Sequence, residues 1–156
     1  MSYANGTIAE YTSEEGHFMQ LFIAHAFSIQ GFIKGCQPVL AIDSCHLSEP
    51  YKGALLSTIA HETDDGMFPL TFRVVSSENY EDWYWFFEKL KGVLDGKEVF
   101  IISDRHQGIL CSVSKLFGIG NHAYCYRHVK ENFSSFLNKQ NIRGKKRKKK
   151  CFVTFG

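Results

Sequence analysis

One hundred and fifty-six residues, 44% of them apolar and 22% charged, suffice for a single domain with its own core. Fourteen Phe, seven Tyr and two Trp exclude a chain disordered over most of its length, and no apolar run approaches the roughly 20 residues of a membrane helix. The formal charge of +2 conceals an asymmetry: Arg143 to Lys150 holds seven of the eighteen basic residues, and without them eleven basic face sixteen acidic residues, a body of net −5.

The first dozen residues are polar and read as a lead-in without the basic and then apolar regions of a signal peptide. With no such signal, the five cysteines, which have neither a CxxC pair nor a tight framework, are expected to be reduced thiols. From Ser13, a plausible N-cap, Phe18, Leu21, Phe22, Ala26, Phe27 and Ile29 fall largely at helical spacing, and Gly31 and Gly35 to Pro38 stop the helix. Val39 to Asp43 is a short apolar run ending in a carboxylate, a strand. Residues 54–61 and 67–75 form two more, separated by Asp64-Asp65-Gly66, a hairpin signal.

The period then changes. Asn79 can cap a helix in which Trp83, Phe86, Phe87, Leu90 and Leu94 recur at helical spacing, with Asp95-Gly96 ending it. Residues 98–103 form a fourth strand that runs into a second carboxylate, Asp104. Ile109, Leu110, Val113, Leu116 and Phe117 mark another helix closed by Gly118. His122 to Tyr126 is a fifth strand, and Val129, Phe133, Phe136 and Leu137 mark a last helix. Three antiparallel strands followed by crossover units predict an α/β fold: a mixed five-stranded sheet with helices on both faces. Strand 4 returns through a helix, so it can lie parallel to strand 1. Asp43 and Asp104 then end at one sheet edge, where ligands favour the point at which strand order reverses.

Two neighbouring carboxylates repel unless cations neutralise them, and a pair of hard divalent ions would clamp both oxygens of an in-line phosphoryl transfer. On spacing alone, each Asp equally suits a cap for the following turn or helix. His46, three residues past Asp43, is a candidate to face such a site and equally a loop histidine in solvent. Glu78 and Asp82 suit the N-terminus of a helix, Asp64 and Asp65 a turn. Trp83, Trp85, Phe86 and Phe87 are mostly core at their helical spacing, although aromatic side chains can also stack on bases.

Residues 39–132 resemble the catalytic domain of Mutator-like element (MULE) transposases, of the plant MuDR type. The pieces that carry the resemblance are Val39-Leu40-Ala41-Ile42-Asp43, Tyr51-Lys52-Gly53-Ala54-Leu55-Leu56, Phe68-Pro69-Leu70, the run Ser77 to Phe87, Ile102-Ser103-Asp104-Arg105 and Cys125-Tyr126-Arg127-His128, in that order. The resemblance implies a ribonuclease-H-like core in which Asp43 and Asp104 are the first two acids of a DDE triad. They would bind Mg²⁺ (or Mn²⁺) and activate water or a DNA 3′-hydroxyl against a phosphodiester, at transposon ends in the intact family. Cys125 and His128 match the family's CxxH signature. Their spacing suits half of a zinc site, but no second pair matches, with only His122 and Cys111 as further candidates. A structural role is therefore expected, with Cys125 packed and His128 hydrogen-bonding near the site, and zinc is not expected.

The family's third acid, a Glu, lies well downstream of the CxxH signature. Only 28 residues follow His128, and their one acid, Glu131, sits in a first helical turn. The family's zinc-finger regions on either side are also missing. The expectation is a C-terminally incomplete transposase domain over residues 13–140, followed by a basic tail, 141–156, and without robust strand cleavage. The alternative is a non-catalytic nuclear module, binding DNA or protein and derived from a transposase. The tail's Arg143, Lys145, Lys146, Arg147, Lys148, Lys149 and Lys150 suit phosphate neutralisation on DNA or a nuclear import receptor, and equally a solvated end.

Overall fold

The structure is a computed structural model, and it describes residues 2–4, 6–48, 52–62, 66–76 and 79–139. The chain divides into two compact units, Met1–Cys125 and Tyr126–Gly156. In the larger one the elements follow as β1 (Ser2–Ala4), β2 (Thr7–Glu14), β3 (His17–Ala24), α1 (Ala26–Gly35), β4 (Cys36–Leu47), β5 (Gly53–Glu62) and β6 (Met67–Val75). Then come α2 (Tyr80–Leu94), β7 (Phe100–Ser103), α3 (Gln107–Leu116), a short 3₁₀ turn (Ile119–Asn121) and β8 (His122–Tyr124). The smaller unit contains α4 (Tyr126–Lys139).

All eight strands belong to one sheet in the order β1-β2-β3-β6-β5-β4-β7-β8. The pairs β4–β5 and β5–β6 are antiparallel, while β7 lies parallel to β4 and β8 parallel to β7. The five expected strands and their crossover connections are thus present. The expected count of five is too low, because β1, β2 and β3 extend the sheet beyond β6 through the antiparallel β3–β6 pair. The helix expected from Ser13 does not form. Ser13 lies in β2, and residues 17–24 alternate as a strand with Gln20, Phe22 and Ala24 buried. Here the pairing of β3 with β2 and β6 outweighs an apolar spacing that fits a helix as well. The helix starts instead at Ala26, whose N–H is accepted by Thr7 Oγ1, and it runs through Gly31 rather than stopping there.

One face of the sheet carries the core. Leu40, Ile42, Ala54, Leu56, Ala60, Phe22, Ala24 and Ile101 meet Trp83, Phe86, Phe87 and Leu90 of α2, with Phe32 of α1 and Ile109 and Val113 of α3. Phe86 is fully buried and packs edge-on against Phe22, Trp83 and Phe87. Helix α1 approaches closely because Gly31 has no side chain: a Cβ there would lie 2.9 Å from Phe68 Cζ. On α2, Asn79 Oδ1 accepts the N–H of Asp82, and Asp95, in the left-handed region, ends the helix. Helices on both faces were expected; within the larger unit, α1, α2 and α3 all pack on this one face. The opposite face of the larger unit, with Ala41, Asp43, Leu55, Ser57, Ile59 and Val74, is half-exposed.

Buried Arg73 of β6 is held by Gln20 of β3, by Asp82 of α2 at 3.4 Å, and under the rings of Trp85 and Phe86. It ties two strands to the helix above them. No described helix is long and apolar enough to cross a membrane. Taken by itself, α4 displays Tyr126, Val129, Phe133 and Phe136 along one stripe, each more than a third exposed.

Candidate metal-binding edge

The parallel ladder between β4 and β7 pairs Val39 with Phe100, Leu40 with Ile101 and Ala41 with Ile102. Asp43 and Asp104 each lie two residues beyond the last pair, so they fall at one level on neighbouring chain segments, Asp43 within β4 and Asp104 just past the end of β7. From β4 the chain proceeds outward through β5 and β6, and from β7 it proceeds outward through β8 on the other side. The boundary between β4 and β7 is therefore where strand order reverses, the place at which open α/β sheets bind ligands. On β8, Ala123 pairs with Ile102 and Tyr124 with Ser103. Cys125, the next residue, donates its N–H to Ser103 O at 2.7 Å, which brings the start of the CxxH signature to the same edge.

Asp43 is half-buried in β4, paired with Ser57, on the sheet face opposite α1, α2 and α3. Asp104 follows β7 in the turn before α3, and its Oδ1 accepts the N–H of His106 at 2.9 Å. His106 in turn caps α3 through Nδ1, which accepts the N–H of Gly108. The capping role that competes with metal binding is thus real for Asp104, but it uses one carboxylate oxygen. Among the described residues no hydrogen-bond donor other than the His106 N–H reaches the Asp104 carboxylate.

Other expected site residues are placed differently. His46 is exposed and pairs with Ala54, whereas Asp43 pairs with Ser57. An odd number of residues along a strand reverses the face, so His46 points away from the side of Asp43, and this correction removes it from the site. Cys125 is half-buried at the end of the larger unit, and His128 lies in the first turn of α4 in the other. His128 Nδ1 is shielded from solvent and has no hydrogen-bond partner among the described residues. Arg143, Lys145, Lys146, Arg147, Lys148, Lys149 and Lys150 lie outside the described residues, as do Asp64, Asp65 and Glu78.

Two further side chains meet at this edge, Ser103, which precedes Asp104 in the matching piece, and His122, which the sequence offered only as a zinc candidate. Ser103, fully buried, donates its hydroxyl to Asp104 O at 2.9 Å, and His122 Nε2 lies 2.8 Å from the same Oγ. Burial pushes the His122 pKa below its ordinary value, and the edge of Tyr124 stands against its ring. What brings His122 to Ser103 is its place in the strand parallel to β7, not the zinc-type spacing for which the sequence offered it.

The donor set decides which ion could suit. Paired carboxylates are hard oxygen ligands that match Mg²⁺ or Mn²⁺, ions that keep several waters when only one or two side chains bind them. Among the described residues no three His, Cys, Asp or Glu side chains gather closely enough to enclose a metal. The arrangement fits a water-rich ion on two carboxylates, not a site enclosed by protein. A family model described as the MULE transposase domain matches residues 39–132, more than half of the chain. No curated protein matches the sequence.

Proposed function

The chain belongs to the MULE transposase domain family, and on that premise we propose that Asp43 and Asp104 hold a divalent cation, Mg²⁺ or Mn²⁺, against a DNA phosphodiester. The observation that carries this is the common level of the two carboxylates at the β4–β7 reversal point. The fold would then be ribonuclease-H-like: the order β6-β5-β4-β7-β8, with β5 alone reversed among them, supports that reading. A bound cation would neutralise the phosphate and polarise the attacked P–O bond. The chain's own residues supply the rest: Asp104 is oriented by the His106 N–H, and Asp43 is fixed by its place in the β4–β5 ladder.

With two carboxylates and no third ligand gathered among the described residues, the chain binds the cation weakly and cleaves DNA poorly. The acidic body repels DNA, so the basic run 143–150 is the element we assign to phosphate contacts and to nuclear import. Manganese titration of the full chain tests the site. Weak saturable binding that disappears in Asp43→Asn and Asp104→Asn is expected, together with little plasmid nicking. Strong nicking that either substitution abolishes would refute the inactive part of the reading, and failure to bind Mn²⁺ at millimolar concentrations would refute the site itself.

That no third ligand gathers with them among the described residues also favours a second reading, a non-catalytic nuclear module binding DNA or protein. It predicts that fold and DNA affinity are indifferent to Mg²⁺ and to Asp104→Asn.

A further inference from the structure

The hydrogen bonds around Ser103 fix the direction of a short relay. Ser103 has one hydroxyl proton, and Asp104 O, a carbonyl oxygen, can only accept it. At 2.8 Å, His122 Nε2 must therefore donate to Ser103 Oγ, which makes Nε2 the protonated nitrogen of the ring. The relay runs from β8 through the buried hydroxyl of β7 to the backbone carbonyl of Asp104. The carboxylate of the same residue is held from the other side by the His106 N–H at the start of α3. Asp104 is thus gripped at two points in the turn where it leaves the sheet, at its carbonyl by the Ser103 hydroxyl and at its carboxylate by the backbone N–H of His106.

We propose that His122 is a positioning residue for Asp104, acting through Ser103 to set the turn that presents the Asp104 carboxylate to a divalent cation. This rests on the reading of Asp104 as a cation ligand. His122 need not touch the ion. Its contribution is to lock the peptide that follows Asp104, and outer partners of this kind change metal affinity by about tenfold or more when removed. The alternatives for His122 have less support: the ring is committed to Ser103, and no group of three metal-ligating side chains forms around it among the described residues.

The test uses the full chain and Mn²⁺ as the probe. Nitrogen-15 spectra of the wild-type histidines should show His122 protonated at Nε2, and protonation at Nδ1 instead overturns the relay before any variant is made. His122→Phe should move the Asp104 carbonyl carbon shift and weaken Mn²⁺ binding about tenfold, Ser103→Ala should do the same, and His122→Gln, which keeps an N–H donor, should recover most of the affinity. Should His122→Phe fail to fold, the wild-type spectrum and Ser103→Ala decide. Asp104→Asn separates the two ideas. Wild-type protein that binds no Mn²⁺, or Asp104→Asn that binds it equally well, overturns the cation site. Binding lost in Asp104→Asn but unchanged in folded His122→Phe and Ser103→Ala overturns the role of His122 alone.

Discussion

Asp104→Asn should raise the stability of the metal-free chain while removing its response to metal. Neighbouring strands lie about 4.8 Å apart and Asp43 and Asp104 each fall two residues past the last ladder pair, so roughly 6 Å is taken as the separation of their charges. At that distance two like charges repel by about 0.7 kcal/mol in water and about 3 kcal/mol at the effective dielectric of a protein surface. Both residues are half-buried, so about 1 kcal/mol is the working figure. Asparagine retains an oxygen to accept the His106 N–H, so the cap survives. For a chain of this length the gain corresponds to a melting temperature about 2–4 °C higher. Saturation at a hundred times the dissociation constant would stabilise the wild type by about 2.7 kcal/mol and leave the variant unchanged. The order of the two melting temperatures should therefore reverse between EDTA and excess Mn²⁺, read by circular dichroism at low salt. A variant less stable than wild type in EDTA, or one that gains as much from Mn²⁺, would refute the pairing of the two carboxylates.

Other outcomes follow from the packing. Phe86→Ala empties a fully buried position surrounded by Phe22, Trp83 and Phe87, and should cost about 3–5 kcal/mol in urea denaturation. Gly53→Ala should destabilise by at least about 2 kcal/mol in the same assay: its φ of +139° strains any L side chain, and the added Cβ would lie 2.1 Å from Val75 O. His122 titrates with a folded pKa below its unfolded value, so it favours the folded state fully above the unfolded pKa. That contribution is lost as the pH falls through about 6.5 toward the folded pKa. Denaturation between pH 7.5 and 5 should show a steeper acid loss for wild type than for His122→Gln.

From Val39 onward the elements were legible because each local signal agreed with the tertiary one. Asn79 caps α2, Asp95 takes the left-handed turn that ends it, and both carboxylate-ended runs became adjacent parallel strands. The N-terminal segment was not legible, since Phe18, Leu21 and Phe22 satisfy helical spacing while Gln20, Phe22 and Ala24 satisfy a strand. Pairing with β6 settled the matter, and a buried glutamine obscured the alternation because its partner, Arg73, lies 53 residues away. Arg73 itself gave no signal in sequence, where an arginine in a strand reads as an outward side chain. The placement of His46 failed for a simpler reason, the parity of a strand. The relay from His122 to Asp104 depends on the β7–β8 register, which pairs His122 with Ile101 and leaves its ring within reach of Ser103 Oγ, and no single segment encodes that register.

The β4–β7 ladder also carries a kinetic consequence. Asp43 and Asp104 are 61 residues apart in the chain, and everything between them, strands β5, β6 and β7 and helix α2, must be in place before they can meet. Contacts of that separation form late and slow the folding of the chain that depends on them. Cation affinity should therefore appear in refolding only with the final phase, after the helical signal has recovered. A protein caught part-way through folding would hold both acids and bind nothing.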